Sequence, residues 1–266
     1  MLQKRLLGIG MLSGALLCLT LGGTARAAIT VDGQLADWGV NPGAYGSSDW
    51  TPGAGIYFVQ EDTNPAVDFQ NPGWGGQSFD AEGLYYTRDT SNIYVALVSG
   101  FPLEGTRYAG RNYTTGDLAF DFGSDGSYEI GVRLSGLTPS DTTAALFSST
   151  TWNDPDPFTQ SGPLSIASGI LEGNAAFGYD DSTYAAYNHN VYEFSIPLSL
   201  LAGVWDNVFY SVSGQPQFTV HWTMSCGNDA IDLDVTHSPE PLSSGLLLIG
   251  LGGLAYRNRN RMRFKV

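Results

Sequence analysis

Residues 92–98 read Asn-Ile-Tyr-Val-Ala-Leu-Val, and this short run decides the fold class. After Asn92 every residue is apolar or aromatic, and β-branched residues are frequent. A continuous apolar run of this length is typical of a strand that is buried on both faces. We therefore predict a central strand here, inside a sheet that is covered on both sides.

Alternating apolar residues predict a hairpin further along the chain. Apolar side chains occupy every second position of residues 118–122 and again of residues 128–134. This period of two is that of a half-buried strand, and in the second run it places Glu129 and Arg133 on the face opposite to the apolar one. Between the two runs, Gly-Ser-Asp-Gly at residues 123–126 is a turn signal, so the region is predicted to be a hairpin.

The rest of the chain favours a single all-β domain. Helix-forming stretches are sparse, glycine is abundant with 34 residues, and no internal repeat is visible. About ten strands without long helices indicate a β-sandwich of jelly-roll type. Further strands are predicted at residues 56–59, 84–87, 191–196, 208–212 and 218–224, and one helical turn at residues 197–201.

Residues 1–27 have the layout of a secretory signal peptide. Lys4 and Arg5 form a charged start, residues 6–21 carry no charge, and Ala-Arg-Ala at residues 25–27 offers the small residues that a signal peptidase requires. Cleavage before Ala28 is predicted. A retained N-terminal anchor is the alternative, and the cleavage signal speaks against it.

The C-terminal segment, residues 239–266, has the layout of a membrane insertion signal. Pro-Glu-Pro is followed by an uncharged apolar run at residues 242–256 and then by a basic end. Such a run enters the membrane and leaves its cations in the cytoplasm. As a helix it would extend about 22 Å, whereas a full span needs about 20 residues. We predict a short transmembrane helix that is held briefly and then removed.

Charge is distributed very unevenly along the chain. The whole chain carries a net charge of −14, but residues 28–238 contain only four arginines, no lysine and all but one of the 26 acidic residues, which leaves a net charge of −21. Binding to nucleic acid or to an anionic membrane surface needs cations and is excluded for this domain. Its charge needs screening by salt or by bound cations such as calcium.

The tail resembles the PEP-CTERM sorting signal of Gram-negative bacteria. The residues that carry the resemblance are Pro239, Glu240, Pro241, Arg257, Arg259, Arg261 and Arg263. The resemblance implies recognition by an exosortase, after signal peptidase has removed the leader. It also implies transient anchoring in the inner membrane and release to the cell surface or the extracellular space, in species that produce exopolysaccharide and biofilm. An ordinary C-terminal anchor is the alternative.

Three short motifs stand out in the middle of the chain: Val-Asp-Gly-Gln-Leu-Ala-Asp-Trp at residues 31–38, Asp-Thr-Ser-Asn-Ile-Tyr-Val-Ala at residues 89–96, and Tyr-Glu-Phe-Ser-Ile-Pro at residues 192–197. With these motifs the chain resembles family-nine carbohydrate-binding modules and related DOMON-like sandwiches. The resemblance implies the sandwich fold and, more weakly, sugar binding. It also makes Asp32 and Asp37 candidates for structural calcium.

Acidic residues around the predicted hairpin turn are a candidate calcium site. Asp117, Asp121, Asp125 and Glu129 flank a turn that contains two glycines. Carboxylate oxygens that converge on a turn are ligands that calcium prefers, although the spacing is not that of an EF-hand loop. Asp125 followed by glycine is also a common turn pair, so the turn alone is the alternative explanation.

Two tryptophans in loop-like stretches are candidates for stacking against sugars. Trp74 is flanked by glycines, and Trp152 precedes Asn-Asp-Pro-Asp-Pro. An exposed ring beside polar side chains suits a sugar, which has an apolar face and hydroxyl edges. The alternative is that these rings pack beneath long loops as a second core.

No catalytic motif is present in the sequence. The chain lacks Gly-x-Ser-x-Gly, His-Glu-x-x-His and a phosphate-binding loop. Once the leader is removed Cys226 is the only cysteine, and it is predicted to be a small buried thiol. The sequence therefore predicts a non-enzymatic structural or adhesive surface protein. A carbohydrate-binding module is the alternative, and a secreted hydrolase is the weakest reading, because only the abundance of acids supports it.

Overall fold

The structure is a computed structural model, and it describes residues 28–43, 48–61, 64, 66, 68–201, 203 and 217–236. The fold is all-β, as the sequence predicts. Its strands are β1 Tyr57–Gln60, β2 Ala81–Arg88, β3 Asn92–Ser99, β4 Thr106–Tyr108, β5 Arg111–Tyr113, β6 Leu118–Phe122, β7 Ile130–Val132, β8 Thr143–Asn153, β9 Ser165–Asp180, β10 Asn190–Pro197, β11 Gln217–Thr223 and β12 Ala230–Thr236. Short 3-10 turns lie at Ser48–Trp50, Gly76–Phe79, Thr159–Ser161, Ala185–Tyr187 and Leu198–Leu200.

Ten of the strands form one antiparallel sheet. Their order is β1-β2-β3-β10-β9-β8-β7-β6-β11-β12, while β4 and β5 form a separate hairpin. The last strand, β12, packs against β2 and β1 at the other end of the order, so the sheet curls until it is nearly closed. Closure of this kind encloses a core and leaves few open edges.

Two cores meet at β3. Ile93, Val95 and Leu97 lie in the main core, which the curled sheet encloses. Ala96 and Val98, on the other face of the same strand, lie in a second and smaller core. The continuous apolar run at residues 92–98 is therefore confirmed as a strand that is buried on both faces. The second core also contains Leu35, Trp38, Val40, Trp50, Tyr85, Tyr184 and Val191.

The N-terminal segment is held over this second core by the side chain of Glu193. Its Oε2 accepts backbone N–H bonds from Asp32, Gly33 and Gln34 at 3.0, 2.6 and 3.1 Å. Its Oε1 accepts the indole N–H of Trp38 at 2.6 Å. Burial raises the pKa of Glu193 to about 7 despite these donors. Two motifs that lie far apart in the sequence are thus joined by one buried carboxyl group.

The nest of backbone donors depends on Gly33. Its φ is +79°, and a Cβ added there would lie 2.8 Å from the carbonyl carbon of Tyr179. Only glycine combines this backbone conformation with so close an approach to β9. Successive N–H groups in such a turn form a concave anion site, which here receives the Glu193 carboxyl group.

Asp80 and Asp229 meet at the seam where β2 and β12 begin. Both side chains are fully buried, and they are hydrogen-bonded to each other. Asp229 Oδ2 accepts the backbone N–H of Ala81 at 2.7 Å, and its Oδ1 accepts that of Ala230 at 3.0 Å. Burial, with the neighbouring carboxyl groups of Glu61 and Asp80, raises the pKa of Asp229 to about 9.

Most predicted strands are confirmed, and two long ones were not predicted. The hairpin across residues 118–132 pairs β6 with β7, and the predicted helical turn after Pro197 is a 3-10 turn. The sequence analysis missed β8 and β9, which pair along most of their length. Tyr128 precedes β7 and does not share the core face of that strand. Cys226 is buried, as predicted, and burial raises the pKa of its thiol to about 11.

Several predicted segments lie outside the described residues. These are the signal peptide at residues 1–27, the strand at residues 208–212 and the tail at residues 239–266. Within the part of the chain that the structure describes, no helix has the length and apolarity needed to cross a membrane.

Candidate functional site

Polar side chains cover the outer face of β6, β11 and β12, opposite to the main core. Asp121 on β6 lies across from Thr219 on β11, which in turn lies across from Asp234 on β12. Thr219 Oγ1 donates to Asp234 Oδ1 at 2.7 Å and lies 3.2 Å from Ser124 Oγ. The register of three strands thus gathers acids and hydroxyls beside the turn that joins β6 to β7.

Three carboxylates converge at this turn. One oxygen from each of Asp121, Asp125 and Glu129 lies within 4.8 Å of the others. Asp121 is buried and accepts the backbone N–H groups of Asp125 and Gly126 at 3.1 and 2.7 Å. Glu129 Oε2 accepts the backbone N–H of Phe122 at 2.9 Å. Asp125 Oδ1 accepts the backbone N–H of Ser127 at 2.9 Å, so backbone donors fix all three carboxylates in place.

The three carboxyl groups of the carboxylate cluster, Asp121, Asp125 and Glu129, repel one another when all are charged. Burial raises the pKa of Glu129, and the negative charges of Asp121 and Asp125 raise it further. Each carboxylate oxygen that accepts one N–H retains a second lone pair for a cation. Three carboxylates with water suit the oxygen coordination of calcium, so the donor set fits that ion.

Asp117, the fourth acid considered around this turn, lies apart from the cluster. Its Oδ1 accepts the backbone N–H groups of Leu134 and Ser135 at 2.8 and 3.1 Å, and its Oδ2 accepts that of Ile166 at 2.8 Å. The side chain is fully buried. Asp117 therefore fastens β6 to the end of β7 and the start of β9, and the structure does not bring it to the candidate cation site.

Trp152 lies beside the cluster and is half-buried. Its Nε1–H donates to the carbonyl oxygen of Tyr128 at 2.9 Å, and the two rings meet edge to face at 6.3 Å. Thr150 Oγ1 donates to the same carbonyl at 2.6 Å. The indole also covers Gly131, where an added Cβ would lie 2.6 Å from the ring. The ring position is fixed by the fold.

A cleft of about 440 Å³ opens between Trp152 and the turn. Its charged side chains are Glu129 and Asp154, and no basic side chain among the described residues lines it. Glu129 belongs both to the cleft and to the carboxylate cluster, so two features predicted separately from the sequence lie side by side. The cleft is lined by Gly126, Ser127, Tyr128, Glu129, Ser149, Thr150, Trp152, Asp154, Gly162 and Pro163.

Trp74 lies in a different loop and is largely exposed. Its side chain is 64 % exposed and packs edge to face against Phe69, which is 38 % exposed, at 5.1 Å. Asn228 holds this loop in place. Its side-chain Nδ2 donates to the carbonyl oxygen of Trp74, and its backbone carbonyl oxygen accepts the N–H of Gly73 at 2.8 Å. Trp74 and Phe69 form an exposed aromatic pair, and neither residue lines the cleft beside Trp152.

His221 and Tyr128 extend the site across the sheet. His221 is buried, its Nδ1 lies 2.8 Å from Asp232 Oδ1, and its ring lies 5.6 Å from that of Tyr128. Its Nε2 has no hydrogen-bond partner among the described residues. The two other calcium candidates, Asp32 and Asp37, serve the N-terminal segment, where they accept the N–H groups of Gln34 and Thr30.

The sequence analysis did not assign Tyr128, Thr150 or Asp154 to the site. Thr150 and Asp154 lie two residues before and after Trp152 in the sequence, and this spacing could have predicted that they lie near its ring. Tyr128 was placed on the core face of its strand. It lies instead beside Trp152 because β7 begins only at Ile130.

Comparisons with family models, with curated proteins and with solved structures found no match to this chain.

Proposed function

We propose that this chain is an exported, non-enzymatic protein of the cell surface or extracellular matrix, and that its β-domain holds extracellular polysaccharide in the cleft beside Trp152. The observation that carries the binding proposal is the cleft itself, in which a fixed indole lies next to hydroxyls and carboxylates. Binding sites of this kind combine an apolar wall with a few placed polar groups.

The chemistry of the cleft suits a sugar ring. The indole of Trp152 offers an apolar surface to a pyranose face. Ser149, Thr150 and Asp154 line the same cleft and offer groups that bond hydroxyls. Because Trp152 Nε1 is already bonded to a backbone carbonyl, the ring does not reorient to receive a ligand. A preorganised wall reduces the entropy lost on binding.

Glycan binding by the purified chain tests this proposal. We expect Trp152→Ala to weaken binding about ten-fold or more, since stacking of a nucleic-acid base on an aromatic ring is on the order of 1–3 kcal/mol and we take the same order for a sugar ring. Trp74→Ala is the matched control, because Trp74 is exposed and lies outside the cleft. Equal loss in both variants, or a flat response of the wild type across neutral, acidic and amino glycans, contradicts the proposal.

We propose also that the carboxylate cluster binds calcium. Saturating Ca²⁺, at about a hundred times its Kd, is expected to stabilise the fold by about 2.7 kcal/mol, which raises the Tm by about 5–10 °C. Asp125→Ala should remove this increase, whereas Asp181→Ala, a change of an exposed acid outside the cluster, should retain it. Differential scanning fluorimetry with and without chelator gives the measurement, and an unchanged Tm in the wild type removes the calcium site.

Export and sorting are proposed from the two ends of the chain. Signal peptidase removes residues 1–27, and an exosortase recognises Pro239, Glu240 and Pro241 while the arginine-rich end stays in the cytoplasm. Mass spectrometry of the surface-exposed protein is expected to find Ala28 at the N-terminus and no peptide from residues 257–266. An intact arginine-rich end on the exposed protein contradicts sorting by cleavage.

The finer fold assignment and the remaining alternative belong to the same proposal. We infer that the curled sheet is a sandwich of jelly-roll type and that residues 242–256 form a short transmembrane helix during sorting. A secreted hydrolase is supported only by the presence of Glu129 and Asp154 in one cleft. Release of reducing sugar from a bound glycan separates a hydrolase from a binding protein, and we expect none.

A further inference from the structure

The charges around the cleft have one sign. Glu129 and Asp154 line it, and Asp121 and Asp125 lie within 4.8 Å of Glu129 at their nearest oxygens. Asp232 lies beyond Tyr128, bonded to His221. A ligand in this cleft therefore meets two carboxyl groups in the lining, and two more lie next to Glu129.

No arginine of the domain balances these carboxylates inside the cleft. Arg133 is the nearest in sequence, and its guanidinium lies over the ring of Phe147 at 4.4 Å and points to the carbonyl of Ile166. The other three arginines lie on β2, β4 and β5, which do not line the cleft. An anionic sugar would thus enter a field of its own sign and find no cation among the lining side chains.

The aromatic rings that line the cleft also favour a positively charged ligand. The rings of Trp152 and Tyr128 line the cleft together with Glu129, and they meet edge to face. An ammonium group is attracted both to carboxylates and to the faces of aromatic rings. Partial burial makes an ion pair with Glu129 stronger than one formed in open solvent.

We propose that, when the carboxylate cluster holds no calcium, the ligand of this cleft is an amino sugar with a free, protonated amine, such as a glucosamine unit of a polysaccharide, whose ring packs on Trp152 and whose ammonium group is bound by Glu129 and Asp154. This inference rests on the proposed glycan binding and specifies its ligand class. Acetylation of the amine removes the positive charge and retains the ring, so the site distinguishes a deacetylated glycan from its acetylated form.

The test compares two short oligosaccharides that differ only in that group. The full chain, purified in mild detergent and freed of calcium with a chelator, is titrated by calorimetry at about pH 6.5 with a glucosamine oligomer and with the N-acetylglucosamine oligomer of the same length. We expect the glucosamine oligomer to bind about ten-fold more tightly, the difference that one charge-assisted hydrogen bond supplies. Raising the salt from about 0.05 to about 0.5 M should reduce this preference, because exposed charges are then screened.

Matched variants separate the cleft from the general negative charge of the domain. Glu129→Gln and Asp154→Asn should each remove most of the preference for the free amine while retaining binding of the acetylated oligomer. Glu104→Gln and Asp181→Asn make the same chemical changes at exposed sites outside the cleft and should retain the preference. Circular dichroism and Tm confirm that each variant is folded.

Each remaining outcome overturns the inference in a recognisable way. Equal affinity for the two oligomers overturns the ligand class but leaves glycan binding in place. A preference that all four variants weaken equally shows attraction to the whole acidic domain rather than to this cleft. Binding of neither oligomer, with binding of a neutral glucan, also overturns the ligand class, whereas binding of no glycan at all overturns the proposed function as well.

Discussion

Replacing Glu193 by alanine is expected to lower the free energy of unfolding of the domain by at least about 3 kcal/mol, because buried donors left without an acceptor each cost on the order of 1–3 kcal/mol. The carboxyl group accepts four N–H groups, three from the backbone of residues 32–34 and one from Trp38. The side chain is fully buried. For a domain of this size the loss corresponds to a decrease in Tm of about 10 °C.

The geometry also predicts how the conservative variant behaves. In Glu193→Gln, the remaining oxygen can accept the three backbone N–H groups, but the new amide N–H then faces the indole N–H of Trp38. We expect a smaller decrease in Tm than for alanine, together with a change in the fluorescence of Trp38. Glu104→Gln changes the same group at an exposed site and should leave the Tm unaltered. A Tm for Glu193→Ala within a degree or two of the wild type would show that this anchor is dispensable.

The sequence predicted the strands whose side chains are buried in a regular pattern, on both faces or on every second residue. The run at residues 92–98 was recognised because β3 is covered by two cores and needs no polar face. By contrast, β8 and β9 bury few of their side chains and contain register shifts, so no period of two appears in their Ser-, Thr- and Gly-rich sequence. Strands that are held mainly by backbone pairing leave little trace in an apolar pattern.

In the candidate site, too, contacts between residues close in the sequence could be predicted, whereas contacts that depend on strand pairing could not. Asp121 and Asp125 were predicted because a turn of four residues brings them together. Asp117 is four residues before Asp121 on a strand, which separates the two by about 13 Å along the same face. The partners of Asp117 come from Leu134 and Ile166, and no local spacing indicates them. The meeting of Trp152 with Glu129 likewise depends on the pairing of β7 with β8.

The motifs that resemble carbohydrate-binding modules stabilise the fold of this chain. Trp38 and Glu193 bond to each other, and Asp89 accepts the N–H groups of Ser91 and Asn92 and the hydroxyl of Tyr94. The N–H group of Ser91 is the main cause that lowers the pKa of Asp89. These residues organise the second core and the turn before β3. The cleft beside Trp152 is lined by other residues, so the motifs do not indicate which ligand the cleft binds.

Stability of the domain is expected to decrease as the pH rises from about 5 to about 8. The pKa of Asp229 is raised to about 9 in the folded chain, from an ordinary value near 3.8. Between these two values the folded state holds a proton that the unfolded state has released. Each added pH unit therefore lowers the free energy of unfolding by about 1.4 kcal/mol for one such proton. This contribution to stability is fully present below about pH 4 and is lost as the pH rises towards 9.

The proton is shared by Asp80 and Asp229, and two isosteric variants locate it. Both Asp229 oxygens accept a backbone N–H, so the hydrogen-bond pattern is complete when Asp80 carries the proton and donates it to Asp229. Asp80→Asn supplies a permanent donor at that place. We expect it to flatten the pH profile of the Tm and to raise the Tm at about pH 8. Asp229→Asn puts an amide N–H against one of two backbone donors and should lower the Tm at every pH.

Thermal melts from about pH 4 to about pH 9 at constant ionic strength provide the measurement. Asp181→Asn is the control, because it removes one negative charge at an exposed site without touching the seam between β2 and β12. A gain at pH 8 that this control reproduces would show relief of general repulsion within the acidic domain. A gain confined to Asp80→Asn shows that the buried pair itself limits the closure of the sheet. A wild-type Tm that is constant or rises over this range contradicts the shared proton.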